Sequence, residues 1–244
     1  MGVANKTQRS RFSKVFGTDL KDSIWALHEW NLDIRNFSIY LVGEAKDYGN
    51  DSKLSEPGVE YQMASRLIKN LQILATLDPV RVILIHMKTC GGSWEEGMAI
   101  YDAIKAVPNK VVILNYTHAR SMSSVILQAA DKRVMMPHSH FMFHDGALEV
   151  SGTYKSVITN VAWAEKEKPI MEDVYINRMK ERGRYRRWSR DSIRTMLREQ
   201  MDKKEDVFLS AIQAVDWGLA DSIFDGNWDQ LRKRFPRVII AKKT

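Results

Sequence analysis

The apolar positions of the chain switch between two periods. Residues 37–43 alternate apolar and polar side chains and stop on Gly43, which predicts a strand. Residues 60–77 set Met63, Leu67, Ile68, Leu71 and Leu74 at helical spacing, which predicts a helix with one buried stripe. Residues 80–86 and 111–114 are short β-branched bursts and predict buried strands. Between them, 97–104 predicts a helix and Pro108-Asn109 a turn. Residues 125–130 predict a short buried helix, and 133–136 and 141–144 two further strands. Strand and helix alternate from 37 to 144, so the expected class is a layered α/β domain with largely parallel strands.

The flanks differ. Residues 22–30 suggest a short amphipathic helix, and 44–58, rich in Asp, Gly, Asn, Ser and Pro, a loop. Residues 153–182 predict a long helix. Its apolar positions, Val157 to Met179, are too sparse to bury it throughout, so it is expected to project. Residues 183–190 break it and 191–201 form another helix. Residues 208–211 are expected to turn into a helix at 212–217, closed by Gly218. A small strand at 220–224 follows. The expected organisation is a basic arm at 1–18, an α/β domain at 19–226 with a helical handle at about 146–190, and an appended helix and strand at 227–244.

One junction invites chemistry. Ser121 falls where the strand at 111–114 has given way to the helix at 125–130. Helix-start N–H groups lack intrahelical partners, and the helix dipole favours negative charge there. A serine oxygen attacking a carbonyl creates such a charge. The plainer reading is that Ser121, Ser123 and Ser124 cap the helix. Gly91-Gly92 ends a predicted strand and can turn an N–H outward, and Met122 offers a second. His144 ends a strand, and Asp206 precedes an apolar turn. Each is ordinary alone. Ser, His and Asp in separate loops of one α/β domain are what a nucleophile, a base and its orienter require.

Composition narrows the classes. The chain has 244 residues, 44% hydrophobic and 27% charged, an ordinary globular composition. No apolar run approaches the ~20 residues that span a bilayer. The single cysteine, Cys90, excludes an internal disulfide and suits a reducing compartment, so a cytoplasmic protein is expected. The +7 formal charge is concentrated near both ends and at 178–198, as in solvated faces. Nucleic-acid binding through the Arg- and aromatic-rich run 182–190 is therefore a minor alternative.

The stretch 91–224 resembles the proteolytic subunit of the Clp protease, a serine peptidase family of crotonase-like fold. Gly91-Gly92 to Gly97-Met98-Ala99-Ile100-Tyr101-Asp102 is similar to that family's Gly-Gly…Gly-Met-x-Ile-Tyr-Asp segment. Ala119-Arg120-Ser121-Met122-Ser123-Ser124 resembles its Ala-Ala-Ser-Met-Gly-Ala nucleophile motif, and 136–144 its Leu-Pro-Asn-Ser-x-x-Met-Ile-His. Residues 206–223 resemble the segment from its catalytic Asp to Gly-Leu-x-Asp-x-Ile. The departures are Cys90 for proline, Arg120 and Ser123 beside the nucleophile, and Lys204-Glu205 where the family has Glu-Arg.

The resemblance implies repeated strand-strand-helix units and a projecting handle. It implies Ser121, His144 and Asp206 as catalytic residues and the Gly92 and Met122 N–H groups as an oxyanion hole. Gly91, Gly146, Ala147 and Leu148 would bind an extended polypeptide substrate. No metal or cofactor is expected. The partners implied are further copies of the chain, in one heptameric ring or two, and an AAA+ unfoldase, with no membrane. Two alternatives stand beside it: a non-catalytic ring or scaffold subunit, and a Ser–Lys peptidase resembling signal peptide peptidase A with Lys155, Lys166 or Lys168 as base.

Overall fold

The structure is a computed structural model that describes residues 20–43 and 58–233. The arm at 1–18, nearly all of the loop at 44–58 and the end of the extension, with its expected strand, lie outside the described residues. Helix α1 (Leu20–Trp30) leads into β1 (Leu32–Asp33), which pairs antiparallel with β2 (Ser38–Val42). Helix α2 (Tyr61–Leu77) begins at Glu60, whose carboxylate accepts the N–H groups of Gln62 and Met63. Two donors without intrahelical partners are thereby satisfied, with negative charge at the favourable end of the dipole. The buried stripe of α2 holds Met63, Leu67, Leu71 and Leu74 as its period predicts, while Ile68, expected in it, is half-buried.

Then follow β3 (Ile83–Thr89), α3 (Trp94–Ala106), β4 (Val111–Arg120), α4 (Met122–Leu127), β5 (Lys132–Met135) and β6 (His140–Phe143). The second half holds α5 (Tyr154–Glu181), α6 (Arg190–Lys204), β7 (Val207–Ser210), α7 (Ala211–Trp217), β8 (Ser222–Ile223) and α8 (Trp228–Arg232). The sheet runs β1-β2-β3-β4-β5-β8, with β6 beside β4 and β7 beside β6. Among the described strands, only β1–β2 and β6–β7 pair antiparallel.

Strand β4 organises the rest. Its lower half, 112–115, pairs with β5, and its upper half, 118–120, pairs with β6. On the other side the register against β3 shifts between Met87 and Thr89. Such a bulge bends a strand and re-aims what lies beyond it. Beyond it, the top of β4, β6 and β7 form a three-stranded sub-sheet. Two sequence expectations are corrected here. The strand expected at 111–114 continues to Arg120, because His118 to Arg120 find ladder partners in β6 although the polar side chains after Leu114 break the apolar run. Residues 207–210, expected as a turn, form β7: Val207 and Leu209 point in while Phe208 and Ser210 point out, the two-residue period of a strand.

Alternation along the central strands splits the core. Ile85 and Ile113 face the main cluster under α2 and α3, whereas Leu84, Val112, Leu114 and Val134 face the other way and are covered by Leu231 of α8. At the sheet's far end the buried Arg133 guanidinium bonds both oxygens of Asp221, Gln128 Oε1 and the Gly218 carbonyl. Burial raises the Asp221 pKa, but the charges and hydrogen bonds of Arg133, with Arg182 beyond, outweigh it and hold the carboxyl below its usual range.

Helix α5 changes character along its length. Its buried residues all lie from Met171 onward, and Tyr154, Ile158, Val161 and Trp163 stand exposed. Pro169 falls at this boundary. None of the described helices is long and apolar enough to cross a membrane.

Candidate active site

Three strand ends meet at one rim of the sub-sheet. β4 ends at Arg120, and Ser121 is next. β6 ends at Phe143, and His144 is next. β7 starts at Val207, with Asp206 just before it. Arg120 lies opposite Met142, and Phe143 opposite Val207, so the three residues project from neighbouring positions. His144 Nε2 lies 2.9 Å from Ser121 Oγ, and His144 Nδ1 lies 3.0 Å from Asp206 Oδ1. A carboxylate only accepts hydrogen bonds, so Nδ1 carries the proton and the Nε2 lone pair faces the serine hydroxyl.

The backbone at Ser121 departs from the capping reading. Ser121 has φ 52° and ψ −131°, and its side chain makes no cap hydrogen bond to α4. Its own N–H is held by the Met142 carbonyl of β6. Its neighbours have different work. Ser123 Oγ donates to the Thr89 and Arg120 carbonyls, tying the turn to β3. Ser124 Oγ bonds the buried Tyr175 hydroxyl on α5 and approaches the Ser121 carbonyl. Only Ser121 is left to face the cleft. A non-glycine residue at positive φ is uncommon and marks a constrained site.

Facing the serine is the Gly91-Gly92 turn. The Val59 N–H donates to the Gly91 carbonyl, and the Ser93 N–H donates to the Val59 carbonyl. In this bridge the Gly92 N–H points away from Val59. Among the described residues it has no backbone partner, and neither has the Met122 N–H at the start of α4. Both glycines have positive φ. A Cβ on Gly92 would lie 2.4 Å from the Val59 carbonyl oxygen, and one on Gly91 2.8 Å from Ser121 Cβ. Only glycine lets the two turns approach so closely. Gly97 on α3 serves Met122 in the same way: a Cβ there would lie 2.1 Å from Met122 Cγ.

A cleft of about 800 Å³ opens over this rim. Gly92, Ser121, Met122 and His144 line it, as do Gly146, Ala147 and Leu148, while Met171 and Tyr175 of α5 form its apolar floor. Gly91 lies behind Gly92, with its carbonyl turned to Val59. Residues 144–153 follow the cleft edge without regular secondary structure. Of the lysines weighed as a base, Lys168 reaches the cleft, paired with Glu165 at 3.3 Å and Asp145 at 3.8 Å. Lys166 sits 5.5 Å above the Trp163 ring. Cys90 is half-buried, with its thiol against the Gly91 carbonyl. Among the described residues, no three His, Cys, Asp or Glu side chains gather as metal ligands would.

Three of the five arginines in the basic run 182–190 are paired with carboxylates. Arg182 pairs with Asp221, Arg184 with Asp216, and Arg190 with Asp173. Tyr185 packs edge-on against Trp217 and Trp188, which uses faces that a base would stack upon. The run is a structural knot joining α5, α6 and α7.

A layered α/β body whose cleft sets an Asp–His–Ser hydrogen-bonded line beside backbone donors is the kind of arrangement that hydrolases use. The chain belongs to the Clp protease family, which it matches over residues 54–227. It is 28% identical over 191 residues to the ATP-dependent Clp protease proteolytic subunit 3 of Rhodococcus jostii, covering 78% of this chain and 81% of the relative. It is 28% identical over 169 residues to the ATP-dependent Clp protease proteolytic subunit of Deinococcus radiodurans, covering 68% and 76%. The protein is a protease, and its fold is the crotonase-like fold of that family.

Proposed function

We propose that the protein is a serine endopeptidase that cleaves unfolded polypeptides, with Ser121 as nucleophile, His144 as base and Asp206 as orienter. The observation that carries this reading is the continuous line from Asp206 through His144 to Ser121, with contacts of 3.0 and 2.9 Å. Ser121 Oγ attacks the scissile carbonyl carbon as its proton passes to His144 Nε2. The Nδ1–H bond to Asp206 holds the tautomer and stabilises the imidazolium. The carbonyl oxygen becomes an oxyanion that the Gly92 and Met122 N–H groups receive. Collapse breaks the C–N bond, and His144 returns the proton to the leaving amine. Water then attacks the acyl-enzyme with His144 again as base, releasing the acid and restoring Ser121.

Gly146, Ala147 and Leu148 flank the extended substrate on one side of the cleft, and Gly91 supports the other from behind. The handle at about 146–190 joins copies of the chain in heptameric rings around an inner chamber, in the cytoplasm. An AAA+ unfoldase, the class of partner the family uses, feeds that chamber. The relatives' names call their complexes ATP-dependent, which fits a partner that spends ATP. A Ser–Lys mechanism has less support, because Lys168 is engaged by carboxylates and the serine by His144.

The test is Ser121→Ala in the full chain. Turnover of a fluorogenic peptide is expected to fall at least ~10³-fold, and labelling by a fluorophosphonate to vanish. Unchanged turnover refutes the assignment. His144→Ala separates the Ser–Lys reading, under which activity would persist.

A further inference from the structure

Asp206 is the least enclosed member of the line. Its side chain is 47% exposed, against 21% for His144. Among the described residues its carboxylate bonds nothing but His144. Packing does not fix it, so the backbone must. That backbone is unusual. Helix α6 ends with the Glu205 N–H donating to the Met201 carbonyl. The Asp206 N–H then donates to the Lys204 carbonyl at 2.6 Å, across a single residue. The residue spanned, Glu205, has φ 58° and ψ −70°. This is the γ-turn of the rarer, strained hand. Glycine occupies that region as readily as its mirror image, whereas a Cβ makes it costly and β-branching costlier still.

The described chain has four non-glycine residues at positive φ: Asn31, Phe37, Ser121 and Glu205. Two of these are the proposed nucleophile and the residue before the proposed orienter. The turn is also anchored from behind. Glu172, buried on α5, accepts hydrogen bonds from Arg194 and Arg198 of α6. The helix end that carries the turn is thereby tied to the helix that floors the cleft.

We propose that the γ-turn at Glu205 sets Asp206 in line with His144, which makes Glu205 a positioning residue that acts through its backbone. Relaxing φ at 205 to the negative side would swing the Asp206 Cα–Cβ bond away from the rim while leaving α6 and β7 formed. The inference rests on the serine-peptidase reading and adds to it where the alignment of the relay is controlled.

The test compares Glu205→Val, Glu205→Ala and Glu205→Gly, each alone and with Asp206→Ala. Valine disfavours positive φ most, so kcat is expected to fall on the order of 10- to 100-fold with KM little changed. Alanine keeps the Cβ and discards the carboxylate, and glycine removes the strain; both are expected to stay within about threefold of wild type. In the Asp206→Ala background the valine substitution should cost less than about twofold, because the residue it acts through is gone. The downfield proton resonance of the His144 Nδ1–H gives a readout independent of turnover. It should be lost in the valine variant and kept in the other two. The proposal is overturned if valine leaves kcat and the resonance intact, if alanine is as damaging as valine, or if the valine cost persists without Asp206. Should the valine variant fail to fold, alanine and glycine decide: the resonance kept in both supports the turn, and its loss in alanine refutes it. Failure of Ser121→Ala to abolish turnover would sink the peptidase assignment and leave the resonance comparison standing.

Discussion

Residue-scale fit is tightest where the α3 backbone meets the Met122 side chain. Gly97 sits near the start of α3; inside a helix, exchanging glycine for alanine ordinarily stabilises by about 0.5–1 kcal/mol. Here the added methyl would fall 2.1 Å from Met122 Cγ, and Met122 is 3% exposed, so its side chain must shift to admit it. The sign therefore reverses. Gly97→Ala is expected to lower the melting temperature and to reduce kcat/KM about tenfold, because Met122 moves with its N–H. A rise in Tm with unchanged kcat/KM would contradict this. Ser121, His144 and Asp206 were legible in the sequence because their neighbours form ordered motifs. The strained turn at Glu205 was not, since glutamate is no signal for positive φ and nothing in its spacing distinguishes it. The separate duties of Ser123 and Ser124 were equally hidden, because their partners, Thr89 and Tyr175, are far away in the chain.

Helices α5 and α6 are joined by charge as well as by apolar contact. Helices α5 and α6 meet around Glu172, whose side chain is 3% exposed and whose two oxygens accept from Arg194 and Arg198. Arg198 is 55% exposed and can return to water if its partner is removed. The cost of Glu172→Ala is accordingly set below that of a fully buried pair, at about 1–3 kcal/mol. Urea unfolding should show a lower midpoint at constant m, and activity should fall with it because α6 carries the turn before Asp206. Helix periods of 3.6 were readable along 60–77, where one face is buried throughout. They were less informative along α5, where the buried face begins only at Met171. The four residues of β7 are too short to announce a strand. Their alternation acquires meaning only once β6 lies beside them.

The molecule as a whole exposes a surface and hides a titratable group. Along the outer half of α5, Tyr154, Ile158 and Val161 repeat at helical spacing and stand 81%, 50% and 43% exposed. Apolar stripes of this kind mark contact sites. Under the ring proposal, Ile158→Glu should shift the native mass to smaller species while leaving the melting of the single chain almost unchanged. An unaltered mass would remove that stripe from the interface. On the opposite face of the sheet, His86 is buried, stacks on Tyr40 at 4.3 Å and bonds the Tyr116 hydroxyl at 2.9 Å. Burial, with Arg232 nearby, pushes its pKa down from 6.5 to about 4. The unfolded chain takes up a proton there before the folded one does. Stability is therefore full above about pH 6.5 and declines as pH falls toward 4, by up to about 3 kcal/mol. Thermal melts at pH 7.5 and 5 should differ, and the difference should shrink in His86→Phe. The α/β order was visible in the alternation of periods. The closing of the second face by α8 was not, because only Leu231, with Trp228 beside it, does the covering from that short helix.

The bulge in β4 divides responsibility within the cleft. Ser121, His144 and Asp206 all ride on the small sub-sheet beyond it, so a tilt of that sub-sheet carries the proton relay as one rigid piece. Gly92 belongs to the other side, fastened through Gly91 and Val59 to the end of β3. Under the proposed mechanism, distortion transmitted through the body would therefore move the Gly92 donor away from the nucleophile and from the Met122 donor beside it. Such a damaged enzyme would keep its relay and the Met122 donor but lose the Gly92 donor, and would fail on slow, unactivated amides before it failed on reactive esters.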